Sequence, residues 1–258
     1  RDGSAGDAWA VVVGMAGAWN TYIPRATAHL WFLYDLLYFY AAGAVIAAAY
    51  GQAPTSWRAA MLRWFGDLVE RPLLRVLIPA IVTALTLYPL NGTVPTVMGF
   101  APNFPALLAY GFFFGFGWLL YFHRGALPTF DRFAWIQTIA GIALFLIVNL
   151  GAMPTLLESR SVTEAVAAWS LMSGVVTWML FFGVTGLFLR YFDKPSARVR
   201  YIVDGSYWVY LVHLPFVVWM LGLLADIEIS AGLKWLIVLV SATVFGFVTY
   251  DLFVRSSF

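Results

Sequence analysis

Apolar residues run through this chain in long unbroken stretches rather than in alternation. Seven of these, 29–50, 72–90, 104–122, 133–151, 165–190, 201–224 and 232–254, approach or exceed the roughly 20 residues that a helix needs to cross hydrocarbon. Continuous runs argue for helices, because a lipid-facing barrel strand would alternate apolar and polar positions. An eighth run, 8–19, is shorter and is bracketed by Trp9 and Trp19; it reads as an interfacial or re-entrant segment. The pattern therefore predicts an all-α, polytopic transmembrane bundle. No internal repeat and no low-complexity linker divides the chain, so 1–258 reads as a single membrane domain, with 1–28 as a loop containing the interfacial segment.

Composition agrees with this reading and removes other classes. Of 258 residues, 62% are hydrophobic and 11% charged, against about 25% charged in a soluble domain. The 18% aromatic content, including 12 Trp and 13 Tyr, suits residues that anchor at membrane interfaces. The absence of cysteine excludes thiol nucleophiles, Cys-based zinc sites and iron–sulfur clusters. A formal net charge of +2 gives no basis for a nucleic-acid partner.

Loop charges orient the spans. Segment 51–75 carries Arg58, Arg63, Arg71 and Arg75; 123–132 carries Arg124 and Arg132; 190–200 carries Arg190, Lys194, Arg198 and Arg200. The alternate loops are poor in cations, so the positive-inside rule places 51–71, 123–132, 191–200 and Arg255 in the cytoplasm. Residues 1–28 then lie outside. The chain opens Arg1-Asp2-Gly3 without Met and stops at Phe258 just after an apolar run, and it is expected to be a fragment cut at both ends.

Ionisable residues within spans are costly and mark functional candidates. His213 lies twelve residues into the span 201–224. Ser206, Tyr210 and His213 fall at i, i+4 and i+7, one polar stripe on an apolar helix, and such a stripe is expected to face the bundle interior. Pro215 frees a nearby backbone carbonyl, so a histidine bonded to that carbonyl or to Tyr210 is the structural alternative. His29 heads the first span beside Trp31, where it reads either as a site residue or as an interfacial anchor. Asp35 shares a face with Trp31, Tyr34 and Tyr38, and a phenol is expected to satisfy its carboxylate. Asp204 and Asp251 are expected to pair with Arg200 and Arg255, and His123 is expected to be solvated beside Arg124. Three histidines in separate segments make no metal box, no Gly-rich phosphate loop occurs, and no mid-membrane lysine is available for retinal.

Two blocks around these histidines carry a resemblance. Ser206-Tyr207-Trp208-Val209-Tyr210-Leu211-Val212-His213-Leu214-Pro215 resembles the S-Y-x-x-Y-L-x-H-x-P helix of the integral-membrane acyltransferase 3 family. His29-Leu30-Trp31-Phe32-Leu33, ending in Phe39-Tyr40, is similar to that family's H-L-W-x-L…F-Y helix. Ser196-Ala197-Arg198-Val199-Arg200-Tyr201 and Tyr250-Asp251-Leu252-Phe253-Val254-Arg255 look like its glucan biosynthesis protein C subgroup, succinyltransferases of periplasmic glucans. The acidic pair that follows H-L-W in the acetyltransferase branch is replaced here by Tyr34-Asp35-Leu36-Leu37.

The resemblance implies about ten spans in the intact protein, with three preceding residue 1 and carrying the family's N-terminal Arg/His motif. It implies a bacterial inner-membrane enzyme transferring succinyl or acetyl from acyl-CoA, a co-substrate with no bound cofactor or metal, to hydroxyls of a periplasmic glucan or polysaccharide. The general base would be the family's N-terminal histidine, since histidine's ordinary pKa lies near neutrality. His213 would orient donor or acceptor, or stabilise the thioester oxyanion. His29 would line the outer mouth, Trp31 would stack on a sugar ring, and Asp35, Ser206, Tyr207 and Tyr210 would contact substrate. Arg190, Arg198 and Arg200 would receive CoA phosphates, or would simply follow positive-inside topology. A transporter or flippase of a glycan or lipid-linked sugar, using the same polar interior as a path, is the alternative.

Overall fold

The computed structural model describes residues 27–150 and 161–257. The run 8–19, nearly all of the N-terminal loop and the connection 151–160 lie outside the described residues. Eight α-helices are described: α1 Trp31–Gln52, α2 Thr55–Glu70, α3 Leu74–Leu87, α4 Phe104–Phe122, α5 Ala134–Leu150, α6 Val162–Phe192, α7 Ala197–Leu223 and α8 Ala231–Phe253. Among the described residues, six helical segments are long and apolar enough to cross a membrane. The all-α polytopic class follows directly.

Five of the seven apolar stretches map onto single helices within a few residues. The stretch 133–151 becomes α5, extended at its front by a 3-10 segment Arg124–Phe133. The stretch 72–90 differs: α3 with the 3-10 turn Tyr88–Leu90 forms one arm of a bent pair, and α2 meets it at 107°. Residues 51–71, expected to be a loop, are thus largely helix. Their charges break any 20-residue apolar run, yet Phe65, Leu68 and Val69 recur at helical spacing and are buried. Trp57 and Trp64, seven residues apart on α2, stay 57% exposed.

Local chemistry sets the helix starts. Asn103, Ser196 and Ser230 each accept from a backbone N–H in the first turn of α4, α7 and α8. Ser161 and Glu164 form a reciprocal capping box at α6. Asn91 and Gly92 take positive φ after the Tyr88–Leu90 turn, with Gly92 at +82°, a conformation that glycine adopts without steric cost.

The chain divides at Arg190 into two compact units. In the first, Phe65 of α2, Val76 and Ala80 of α3, Phe116 of α4, Phe130 of the 3-10 segment, and Trp178 and Phe182 of α6 form one core cluster. Trp178 donates through Nε1 to Thr83 Oγ1 at 2.8 Å, so its one polar atom is satisfied inside. α6 approaches its neighbours through glycine. A Cβ on Gly183 would stand 2.5 Å from Thr138 Oγ1 and 2.6 Å from the Thr138 backbone N, and one on Gly186 would stand 2.5 Å from the Phe130 carbonyl oxygen. Small residues of this kind let membrane helices pack backbone to backbone. Gly183→Ala is expected to lower the thermal midpoint of the purified protein. Alanine gains about 1 kcal/mol of helix propensity, but overpacking against a backbone atom costs about 1–3 kcal/mol. A midpoint at or above that of the parent would refute the close approach.

The second unit is the α7–α8 hairpin. Gly205 lies under Phe247 and Gly246 under Val209, Phe216 stacks on Phe245 at 4.3 Å, and Trp208 Nε1 donates to Thr249 Oγ1 at 3.0 Å. Arg200 pairs with Asp204 and Arg255 with Asp251, as their i, i+4 spacing leads one to expect.

Candidate functional site

At the head of α1, His29 sits in the 3-10 turn Ala28–Leu30 and Trp31 opens the helix. Thr27 donates from its backbone N–H to the Met98 carbonyl at 2.7 Å, and Tyr34 donates to the Phe100 carbonyl at 3.1 Å. These bonds lay the segment 98–100 along the first turn of α1. Trp31 packs on Tyr110 of α4 with ring centroids 5.3 Å apart.

One turn further along, Asp35 is only 7% exposed, and Tyr38 and Tyr110 are the phenols within reach of its charge. The expected phenol–carboxylate bond does not form. Tyr34 spends its proton on Phe100, so Tyr38 donates to Tyr34 at 3.0 Å, and the two hydroxyls satisfy each other. Among the described residues no hydrogen bond reaches Asp35. Tyr110 and the Phe100 carbonyl had no sequence signal, because only packing brings α4 and the segment 98–100 to this helix.

On α7 the stripe Ser206–Tyr210–His213 lies at the flank of the hairpin. Gly205, Val209 and Phe216 meet α8, and at about 100° per residue the stripe sits roughly a quarter-turn round from them. α8 therefore does not cover it. His213 Nδ1 stands 2.7 Å from the Tyr210 carbonyl and 3.2 Å from that of Val209. A carbonyl can only accept, so Nδ1 carries the proton and Nε2 is the acceptor nitrogen of the neutral ring. The tether is to Tyr210 rather than to the carbonyl that Pro215 releases, that of Leu211. The Tyr210 ring lies 6.0 Å from the imidazole. Ser206 turns its hydroxyl back onto the Val203 carbonyl at 2.7 Å, a helix-local bond. Tyr207 stands about 100° further round, is 69% exposed, and does not join the stripe.

Of the arginines, Arg190 pairs with Asp131 at 3.5 Å and Arg200 with Asp204 at 3.6 Å. Arg198 is exposed and makes no ion pair among the described residues. His123 is a correction: the ring packs on Phe65 at 5.4 Å over Gly66 rather than standing in water, because α2 is a helix and not a loop.

Arg75 is the residue the charge count misplaced. Counted as a cytoplasmic loop cation, it is fully buried in the first turns of α3. It donates through Nη2 to Gln137 Oε1 at 3.0 Å and through Nη1 to the Thr129 carbonyl at 3.3 Å. Its guanidinium lies over Phe130 at 4.8 Å and Phe182 at 5.2 Å. No carboxylate is within ion-pair distance among the described residues, so neutral acceptors and ring faces replace its hydration. Its position inside the stretch 72–90 was the available signal. Among the described residues, no three His, Asp or Glu side chains converge as a metal site.

The arrangement can tether an imidazole with an acceptor nitrogen within an apolar helix, and present a buried carboxylate beneath an aromatic mouth. Comparison with known proteins gives a family: the acyltransferase domain family matches residues 3–251. No curated protein and no solved structure matches the chain. A match over nearly the whole length of a multi-span helical chain leaves one conclusion: the chain belongs to the acyltransferase 3 family of membrane acyltransferases.

Proposed function

We propose that this protein transfers a short acyl group, succinyl or acetyl, from cytoplasmic acyl-CoA to hydroxyls of an extracytoplasmic glucan or related polysaccharide at the bacterial inner membrane. Family membership supports acyl transfer. The likeness of Ser196–Tyr201 and Tyr250–Arg255 to the glucan succinyltransferase subgroup supports the acceptor and the acyl group, and the alternating loop arginines support an orientation with 51–71 inside.

The observation that carries the reading is the His213 imidazole, tethered through Nδ1 to a helix carbonyl within an otherwise apolar span. The tether leaves Nε2 as the acceptor, the state required to take a proton from an attacking hydroxyl. The hydroxyl oxygen bonds to the thioester carbon, the carbon–sulfur bond breaks, and CoA leaves as the thiol after receiving the proton. An acceptor Nε2 suits a base better than an oxyanion donor, which departs from the orienting or oxyanion-stabilising role that the resemblance implied for His213. His29 and Trp31 line the outer mouth, where the Trp31–Tyr110 pair offers an aromatic platform for a sugar ring. On α7, Ser206, Tyr207 and Tyr210 serve as acceptor contacts, and Arg198 with Arg200 meets the CoA phosphates.

The test supplies radiolabelled succinyl-CoA or acetyl-CoA and periplasmic glucan to membranes carrying the full chain, and follows label into the glucan. Transfer from succinyl-CoA in preference to acetyl-CoA is expected. No transfer from either donor overturns the proposal, and glycan movement across sealed vesicles without any acyl-CoA would favour a transporter instead.

A further inference from the structure

α2 has a span on either side and almost no chain to separate it from them. α1 ends at Gln52 and α2 begins at Thr55; α2 ends at Glu70 and α3 begins at Leu74. Such short connections reach only about 10–14 Å even when fully extended. α2 is therefore held against the headgroup layer, which is roughly 5–8 Å deep on each side of a bilayer. It meets α3 at 107°, close to a right angle, and a helix so joined to one that crosses the bilayer runs along its surface.

At about 100° per residue, α2 divides into four sectors. Phe65, Leu68 and Val69 are buried in the core, where Phe65 packs on Phe116 with ring centroids 5.2 Å apart. Arg63 and Asp67 lie on roughly the opposite side and are exposed. Gly66 marks one flank. The His123 ring covers it, with Cδ2 3.3 Å from where a Cβ would stand. Trp57 and Trp64 fall within about 20° of each other on the other flank, and each is 57% exposed. The protein covers the core side and the glycine flank, and leaves both indoles bare.

We propose that α2 is an in-plane surface helix whose partner is the phospholipid headgroup layer, into which the Trp57–Trp64 flank is inserted. Water is a poor neighbour for two large rings on one flank. An indole suits the boundary instead, with its ring among the upper acyl carbons and its N–H toward polar groups. Arg63 and Asp67 then look outward to water and lipid phosphates, the division of faces that an amphipathic surface helix needs. Because both ends are tied to spans, the surface is already within reach of the indoles. The inference is independent of the acyl-transfer reading.

The experiment places one nitroxide label at a time. The chain contains no cysteine, so Trp57→Cys, Trp64→Cys, Arg63→Cys and Asp67→Cys each give a single labelling site in the full chain. The variants are reconstituted in vesicles of phosphatidylethanolamine and phosphatidylglycerol, and power saturation compares collisions with oxygen, which enters lipid, and with a water-soluble nickel chelate. The oxygen-to-nickel ratio is expected to be severalfold higher at 57 and 64 than at 63 and 67. A low ratio at all four positions would place the helix in water. A high ratio at all four would make it re-entrant. Exclusion of both reagents from 57 and 64 would mean that a protein surface, such as a second copy of the chain, covers them. Each of these results overturns the proposal.

A second readout needs no label. In vesicles of phosphatidylcholine brominated near the glycerol end of its chains, the quenched fraction of tryptophan emission should fall when Trp57→Phe and Trp64→Phe are combined. An unchanged fraction would overturn the inference.

Discussion

Asparagine at position 213 should leave the protein folded and lower acyl transfer by about 10²–10⁴-fold, the usual worth of a positioned acid–base group. The expectation rests on which ring nitrogen does what. Nδ1 holds the Tyr210 carbonyl at 2.7 Å, and an asparagine amide NH2 can donate from nearly the same place. What asparagine cannot supply is the acceptor lone pair of Nε2. His213→Asn therefore separates the tether from the chemistry, whereas His213→Ala removes both. Turnover with labelled acyl-CoA and the thermal midpoint of the purified variant read the two effects independently. An asparagine variant with the parent kcat would reduce His213 to a side chain that merely ties one helix turn to the next.

The largest effect on stability is expected at Arg75. Arg75→Ala should cost about 3–5 kcal/mol, the range for truncating a large, fully buried side chain to alanine. The Gln137 carbonyl and the Thr129 backbone oxygen would lose their donor, and the space between Phe130 and Phe182 would be left empty. Arg75→Met should cost far less, because a neutral side chain of similar length fills the space and no cation has to be kept out of water. Arg75→Lys should fall between the two, keeping the charge but losing the flat guanidinium that lies over both rings. Thermal midpoints by fluorescence-detected size exclusion would rank the three. An alanine variant as stable as the parent would contradict the buried placement.

The contrast between His213 and Arg75 shows what could be read in advance. The local tether of His213 was legible because an isolated imidazole in a long apolar run has no cheap solvated alternative and a helix carbonyl one turn back is within reach. Arg75 was not, because it lies near the end of its apolar stretch, where cations usually snorkel to water. Whether such a residue is a loop charge or a buried one depends on what covers it, and here the cover comes from Phe130 and Phe182, far away in sequence. The error over Asp35 has the same origin. Its phenols were correctly placed on one helix face, but the carbonyl of Phe100 competes for Tyr34, and that competitor arrives only through the fold.

For the described residues, the chain alone determined how many helices are long and apolar enough to cross a membrane, to within one bent pair, where those helices begin and end to within a few residues, and which few polar groups they carry. Those properties follow from local apolar length and from the high cost of burying charge, both of which are written residue by residue. Only the tertiary structure decided that 51–71 turns into a helix at 107° to its successor, that Arg75 is interior, and that Trp31 of α1 meets Tyr110 of α4. Those depend on which faces of separate helices meet, and helices that meet through glycine, as at Gly183 and Gly186, are selected by the absence of a side chain, to which hydrophobic periodicity is blind.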